Sequence, residues 1–184
     1  MRIAGGQARG RRLYLPKGYP VRPTSDKIKE ALFNIIQPVE GKSFLDLYAG
    51  AGSVGLEALS RGAVRAIFVE REPILVNAIR KNAEACGFDE LAEVIAADVK
   101  RGIERLSRRG DRFQILFADP PYERGLAVQT LQLLQDGHLM ADNALIIIQH
   151  SIREDFLEKF RDERLKMADQ RRYGDSALSF MRYS

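Results

Sequence analysis

The sequence predicts an α/β fold: a doubly wound, mostly parallel sheet covered by helices, with a small N-terminal β-hairpin extension. Three observations carry this. Short apolar runs without polar alternation recur along the chain, separated by amphipathic stretches, and a strand that is apolar on both faces is buried on both faces. The first of these runs turns through a glycine-rich loop into a helix, the usual opening of a doubly wound sheet. The length of 184 residues, 45% of them hydrophobic, suits one domain with an appendage and would cramp two.

The elements follow in order. Arg2 to Pro16 holds a glycine-rich turn region (Gly5, Gly6, Gly10), and then Arg12-Leu13-Tyr14-Leu15, whose alternation predicts a short strand or hairpin. From Ser25, a capping residue, Ile28, Ala31, Leu32 and Ile35 recur at the spacing of a helix, which Pro38 and Gly41 end. Strands are predicted at Phe44 to Leu47, Ala66 to Val69, Val94 to Ala96, Phe113 to Phe117 and Ala144 to Ile148. Helices are predicted to begin near Val54, Pro73, Val99, Leu126 and Ile152. Leu165 to Tyr173 and Ala177 to Arg182, separated by Gly174-Asp175-Ser176, read as an antiparallel hairpin closing one edge of the sheet. The expected division is residues 1–23 as a basic extension and residues 24–184 as the main domain.

Charge is distributed unevenly. Residues 1–30 hold eight Lys and Arg against Asp26 and Glu30, a net of +6, so the rest of the chain carries −2 of the +4 total. A basic arm on a nearly neutral body suits a foothold on phosphates, with Arg2, Arg9, Arg11, Arg12 and Lys17 as the expected nucleic-acid contacts. A solvated basic leader is the plainer alternative. The lone Cys86 excludes an internal disulfide and offers no zinc spacing; a buried structural thiol is expected. No signal-peptide pattern or membrane-length apolar run is present, so a soluble, cytoplasmic protein without a membrane partner is expected.

The chemistry concentrates at the ends of the predicted strands. Gly50, Gly52 and Gly55 let the backbone turn tightly, approach a ligand and pack helix on strand. That spacing fits a dinucleotide or an S-adenosylmethionine site. Glu70, about 20 residues beyond the glycines, can accept both ribose hydroxyls. Asp98 can accept from the adenine amino group while Val99 supplies a backbone N–H, although Asp98 could equally cap the following helix. Asp46 is placed for the ammonium group or a water beside the methionine portion. Tyr48, Ala49 and Arg71 complete the expected cofactor shell, and Arg22 and Thr24, in Arg22-Pro23-Thr24, could close over the cofactor carboxylate or simply link arm to core.

Asp119-Pro120-Pro121-Tyr122, after the fourth strand, discriminates among these readings. An exocyclic base amine is a poor nucleophile because its lone pair is delocalised into the ring. Asp119 and the Pro120 carbonyl can accept its two N–H bonds and aim the lone pair at a sulfonium methyl. The prolines, with fixed φ and no N–H, hold those acceptors still, and Tyr122 offers a face for an unstacked base. Asp119 or water takes the released proton, and no metal is required. His138 and His150 are too far apart in sequence for a local metal site and are expected in surface or loop roles.

Arg22-Pro23-Thr24-Ser25 with Glu30-Ala31-Leu32-Phe33-Asn34, the stretch from Asp46 to Ala63 including Glu57-Ala58-Leu59-Ser60-Arg61-Gly62-Ala63, Asp119 to Tyr122 and Arg172-Tyr173-Gly174-Asp175 together resemble the bacterial RsmD family. The resemblance covers almost the whole chain, and the Arg-Pro-Thr segment and the Glu-Ala-Leu-Ser-Arg-Gly-Ala run are its most specific parts. It implies a Rossmann-like seven-stranded S-adenosylmethionine-dependent methyltransferase fold with an RNA-binding N-terminal hairpin. It also implies methylation of guanine N2 in 16S ribosomal RNA, with S-adenosylhomocysteine as the other product. Gly50, Gly52 and Glu70 would contact the cofactor, and Asp119 to Tyr122 would surround the target amine. Departures are confined to Tyr48 and Ala51-Gly52-Ser53-Val54, which lose no glycine.

A monomer that meets 16S rRNA or the small ribosomal subunit is therefore expected. Rival readings are an amino-methyltransferase of DNA adenine or cytosine or of another RNA, a non-catalytic rRNA-binding assembly factor, and an oxidoreductase. The short arm disfavours the DNA enzyme, the intact Asp119 and Tyr122 the assembly factor, and Asp-Pro-Pro-Tyr the oxidoreductase.

Overall fold

The computed structural model describes residues 1–18, 26–122, 124–154, 160 and 163–183. Arg22, Thr24 and Ser25 therefore lie outside the described residues. The elements run α1 (Asp26–Ile35), β1 (Ser43–Leu47), α2 (Ser53–Ser60), β2 (Arg65–Glu70), α3 (Pro73–Cys86), β3 (Ala92–Ala96), α4 (Val99–Arg109), β4 (Phe113–Ala118), α5 (Leu126–Gly137), β5 (Met140–Ser151), β6 (Leu165–Tyr173) and β7 (Ser176–Tyr183). Among the described residues, no helix is long and apolar enough to cross a membrane.

The seven strands form one sheet in the order β3-β2-β1-β4-β5-β7-β6. β1 to β5 are parallel, and the β6–β7 hairpin is antiparallel, with β7 inserted beside β5. The order reverses between β1 and β4, so the carboxyl ends of these strands flank a topological switch point, where open α/β sheets bind ligands. Alternate residues of each strand feed two cores. Phe44, Ala66 and Phe68 pack with α1, α2 and α3, while Leu45, Leu47, Ile67 and Val69 pack with α4 and α5. This is the two-sided burial that the unalternating apolar runs predict.

Several details differ from expectation. Of the strand or hairpin expected at residues 12–15, the arm forms the hairpin without a continuous strand: Arg2 and Arg12 make an antiparallel bridge, flanked by Ile3 N–H to the Arg11 carbonyl and Leu13 N–H to the Met1 carbonyl, with Ile3 and Leu13 buried in the α1–α3 core. In α1 the buried positions are Lys29, Leu32 and Phe33, with Ile36 just beyond, whereas Ile35 is exposed. Helical spacing is kept but its phase is rotated, because Lys29 occupies a core position beside the equally buried Glu57. His150 is a buried residue of β5, its Nδ1 2.8 Å from the Ser151 carbonyl and Nε2 2.9 Å from Ser179 Oγ, and burial lowers its pKa. The helix expected near Ile152 falls largely on residues outside the described set; β5 itself continues to Ser151. Cys86, at the end of α3, is half-buried rather than enclosed, and partial burial raises its pKa.

Candidate active site

At the carboxyl ends of the parallel strands lies a cavity of about 1220 Å³. The loop leaving β1 sets one wall. Tyr48 and Gly50 each have φ near +59°, and Gly52 has φ +82°, a region that glycine enters without steric cost. A Cβ on Gly50 would meet nothing within 4 Å, so the open space above the loop is a cradle for a ligand. Gly55 matters for packing instead: a Cβ there would stand 2.3 Å from Phe68 Cε1, so only glycine lets α2 lie against β2.

Glu70 braces this loop. Its Oε2 accepts the Gly50 N–H at 2.8 Å, and its Oε1 accepts the N–H groups of Arg71 and Glu72, each at 2.9 Å. A carboxylate offers about four lone-pair sites, so the remaining acceptor capacity sits on Oε2. Oε2, with one such N–H bond against two on Oε1, is the oxygen with more capacity left for a ligand. Asp98 combines its two sequence readings: it lines the cavity and also caps α4, with Oδ1 accepting the Arg101 N–H at 3.0 Å. Val99 and Arg71 share the same wall.

Asp46 lies beneath this wall rather than on it. It is buried, and Oδ2 accepts the Gly55 N–H at 2.9 Å. Burial holds its pKa well above the usual carboxylate value, and the Asp119 and Glu70 carboxylates add to the effect against the opposing Gly55 N–H. Asp46 Oδ2 therefore ties β1 to the first turn of α2 across the glycine loop. Ala49, Gly52 and Gly55 belong to the same β1–α2 turn but do not line the cavity themselves. Because β2, β1 and β4 are neighbours in the sheet, Glu70, Asp46 and Asp119 gather at adjacent strand ends. Such a carboxylate-rich end suits a cationic sulfonium ligand.

Asp119 to Tyr122 line the same cavity as Gly50, Glu70 and Asp98. The Asp119 N–H points to the Leu47 carbonyl at 3.4 Å, extending the β1–β4 register into the motif. Tyr122 is half-buried, with its hydroxyl 3.1 Å from Ser176 Oγ and accepting from Gln149 Nε2 at 3.1 Å. The motif is thus tethered to β5 and β7 as well as to β4. Tyr48 reaches α5, its hydroxyl 2.9 Å from the Thr130 hydroxyl; burial raises the Tyr48 pKa.

Sequence reasoning missed Gln149, Arg124 and the Tyr173–Ser176 turn as cavity residues. Gln149 carried a signal, a polar residue ending the apolar run Leu145-Ile146-Ile147-Ile148. The hairpin turn entered the family resemblance through Arg172-Tyr173-Gly174-Asp175, but only its insertion beside β5 brings it to the cavity. Arg2, Arg9, Arg11, Arg12 and Lys17 are all exposed on the arm, outside the cavity. The arm is docked onto α2: Glu57, fully buried, accepts the Ala4 and Gly5 N–H groups at 2.7 and 2.8 Å and Arg61 Nε–H at 2.8 Å.

The family model described as "Conserved hypothetical protein 95" matches residues 1–182. Ribosomal RNA small subunit methyltransferase D of Escherichia coli K12 is 38% identical over 157 residues, spanning 83% of this chain and 75% of that protein. YlbH of Bacillus subtilis is 33% identical over 175 residues, spanning 95% and 94%. The solved structure of yhhF from Escherichia coli superposes with a TM-score of 0.86 at 32% identity, covering 100% of this chain and 97% of that one. With the seven-stranded sheet, the glycine cradle braced by Glu70 and matches along nearly the full length, the chain belongs to the RsmD family of S-adenosylmethionine-dependent methyltransferases.

Proposed function

We propose that this protein methylates the exocyclic N2 of a guanine in small-subunit (16S) ribosomal RNA. The observation that carries the reading is the placement of Asp119-Pro120-Pro121-Tyr122 in the same cavity as the glycine cradle and Glu70. The names of the relatives in Escherichia coli and Haemophilus influenzae, both ribosomal RNA small subunit methyltransferase D, support the substrate class.

The cofactor would rest on Gly50, Glu70, Asp98 and Val99, and when bound supplies an electrophilic methyl on a cationic sulfur. Everything else is positioning. The Asp119 carboxylate and the Pro120 carbonyl each accept one N–H of the target amine, turning its lone pair toward the methyl. The Tyr122 ring supports the unstacked base, and its bonds to Gln149 and Ser176 keep that ring in place. Asp119, directly or through water, receives the amine proton. Residues 1–23 act as the RNA-binding extension, with Arg2, Arg9, Arg11, Arg12 and Lys17 on phosphates, and residues 24–184 as the catalytic domain. Arg22 and Thr24 are assigned to the cofactor carboxylate. The protein works in the cytoplasm as a monomer.

Nucleoside mass spectrometry of small-subunit rRNA from cells lacking the gene tests this. One N2-methylguanosine is expected to vanish and to return with the wild-type gene but not with Asp119→Ala. In purified protein Asp119→Ala is expected to lower kcat by roughly 10²- to 10⁴-fold while leaving cofactor affinity within about threefold. Unchanged N2-methylguanosine would sink the substrate assignment, and wild-type turnover by the variant would sink the mechanism.

A further inference from the structure

Gln149 stands at the carboxyl end of β5, on the cavity wall and 6% exposed. Its Nε2 donates to the Tyr122 hydroxyl, but its buried Oε1 has no hydrogen-bond partner among the described residues. A buried acceptor left without a donor is costly, and such groups persist mainly where something outside the folded chain satisfies them. Here the other end of the same amide, Nε2, touches Tyr122 of the tetrapeptide.

What an unsatisfied acceptor at this place can read is set by base chemistry. In guanine the ring atom beside the exocyclic amine is N1–H, a donor. In adenine and cytosine the corresponding ring nitrogen carries no hydrogen and is an acceptor. An acceptor added to the two assigned to the amine makes three, matching the three N–H donors on that edge of guanine. Against adenine or cytosine it would face a lone pair. A site that leaves a polar partner unpaired with the wrong ligand discriminates strongly.

We infer that Gln149 is a specificity-determining residue that accepts guanine N1–H at Oε1 while its amide nitrogen steadies Tyr122. The inference rests on the guanine-N2 reading above. The opposite amide orientation, with Oε1 toward Tyr122, would present a donor and select adenine or cytosine, so the orientation is itself put to the test.

The test uses small-subunit rRNA carrying either guanine or 2-aminopurine at the mapped target, since 2-aminopurine keeps the 2-amino group and lacks N1–H. Wild-type protein is expected to lose at least tenfold in kcat/KM on the exchange. Gln149→Met is expected to have lost a similar factor on guanine already and to treat the two bases within about threefold, with cofactor affinity unchanged. Gln149→Glu, which retains an acceptor, is expected to keep the preference for guanine. Equal turnover of the two bases by wild-type protein overturns the inference without recourse to any variant, as does undiminished discrimination by Gln149→Met. Mass spectrometry of the product separates the two levels: N2-methylguanosine formed without a role for Gln149 removes this inference alone. Methylation of adenine or cytosine instead removes the guanine reading and this inference with it.

Discussion

Asp46 shows how burial sets the protonation of a side chain beneath the cavity wall. Its carboxyl is held above the ordinary range by burial first, and then by the neighbouring carboxylates of Asp119 and Glu70. Because the folded pKa exceeds the unfolded one, the group's contribution to stability is full below the unfolded pKa and is lost as pH rises through the folded one. Asparagine keeps an acceptor for the Gly55 N–H and carries no charge. Asp46→Asn is therefore expected to be more stable than wild type at pH 8, with the gap closing as pH falls toward about 4. Urea titrations at the two pH values check this, and a gap independent of pH would count against the burial argument.

At the scale of elements, the attachment of the arm depends on α2. Glu57 is fully buried and gathers two backbone N–H groups of the arm and the Arg61 side chain, with Lys29 of α1 at 3.5 Å. Ser60, one turn along, receives the Ala8 N–H at 3.0 Å and donates to the Gly5 carbonyl at 2.6 Å. Lys29 also donates to the Arg2 carbonyl, so arm, α1 and α2 meet at one buried ionic centre. Removing one partner of a buried pair strands the other, at a cost of about 3–5 kcal/mol. Glu57→Ala is expected to lose stability of that order in denaturant unfolding and to speed amide exchange at Ala4 and Gly5. Full protection of those amides in the variant would show that the arm is held by other contacts.

For the whole molecule, the distribution of charge relative to the cavity matters most. The arm's end is fastened close to the cofactor loop: Asn82 Oδ1 accepts the Tyr14 N–H at 2.6 Å, and Nδ2 donates to both the Tyr14 and Ala51 carbonyls at 3.0 Å. Tyr14, 49% exposed, lies under the Lys81 ammonium at 5.1 Å. The exposed arginines thus sit on an arm whose end is hydrogen-bonded, through Asn82, to the loop leaving β1. Reversing charge at Arg9, Arg11 and Arg12 is expected to weaken RNA binding and to flatten the slope of log K against log salt by about 2. Cofactor affinity should not change. Filter binding across a salt series measures the slope, and an unaltered slope would take these three residues out of the RNA interface.

The local pattern of residues was enough to determine the doubly wound sheet, the glycine loop and the Asp119–Tyr122 tetrapeptide. Each depends on neighbours in the chain: apolar runs, positive-φ glycines and fixed prolines act within a few residues. Tertiary structure alone decided which face of α1 is buried, because the cost of enclosing Lys29 is offset by Glu57, 28 residues away in sequence. It likewise decided that Asp46 supports the loop from below and that Glu70 spends most of its acceptor capacity on backbone. Gln149 and the β6–β7 turn joined the cavity only because β7 inserts beside β5. Hydrogen bonds and burial between residues distant in sequence leave no periodic trace in the chain, and at this site they are what turned individual candidate residues into an arrangement.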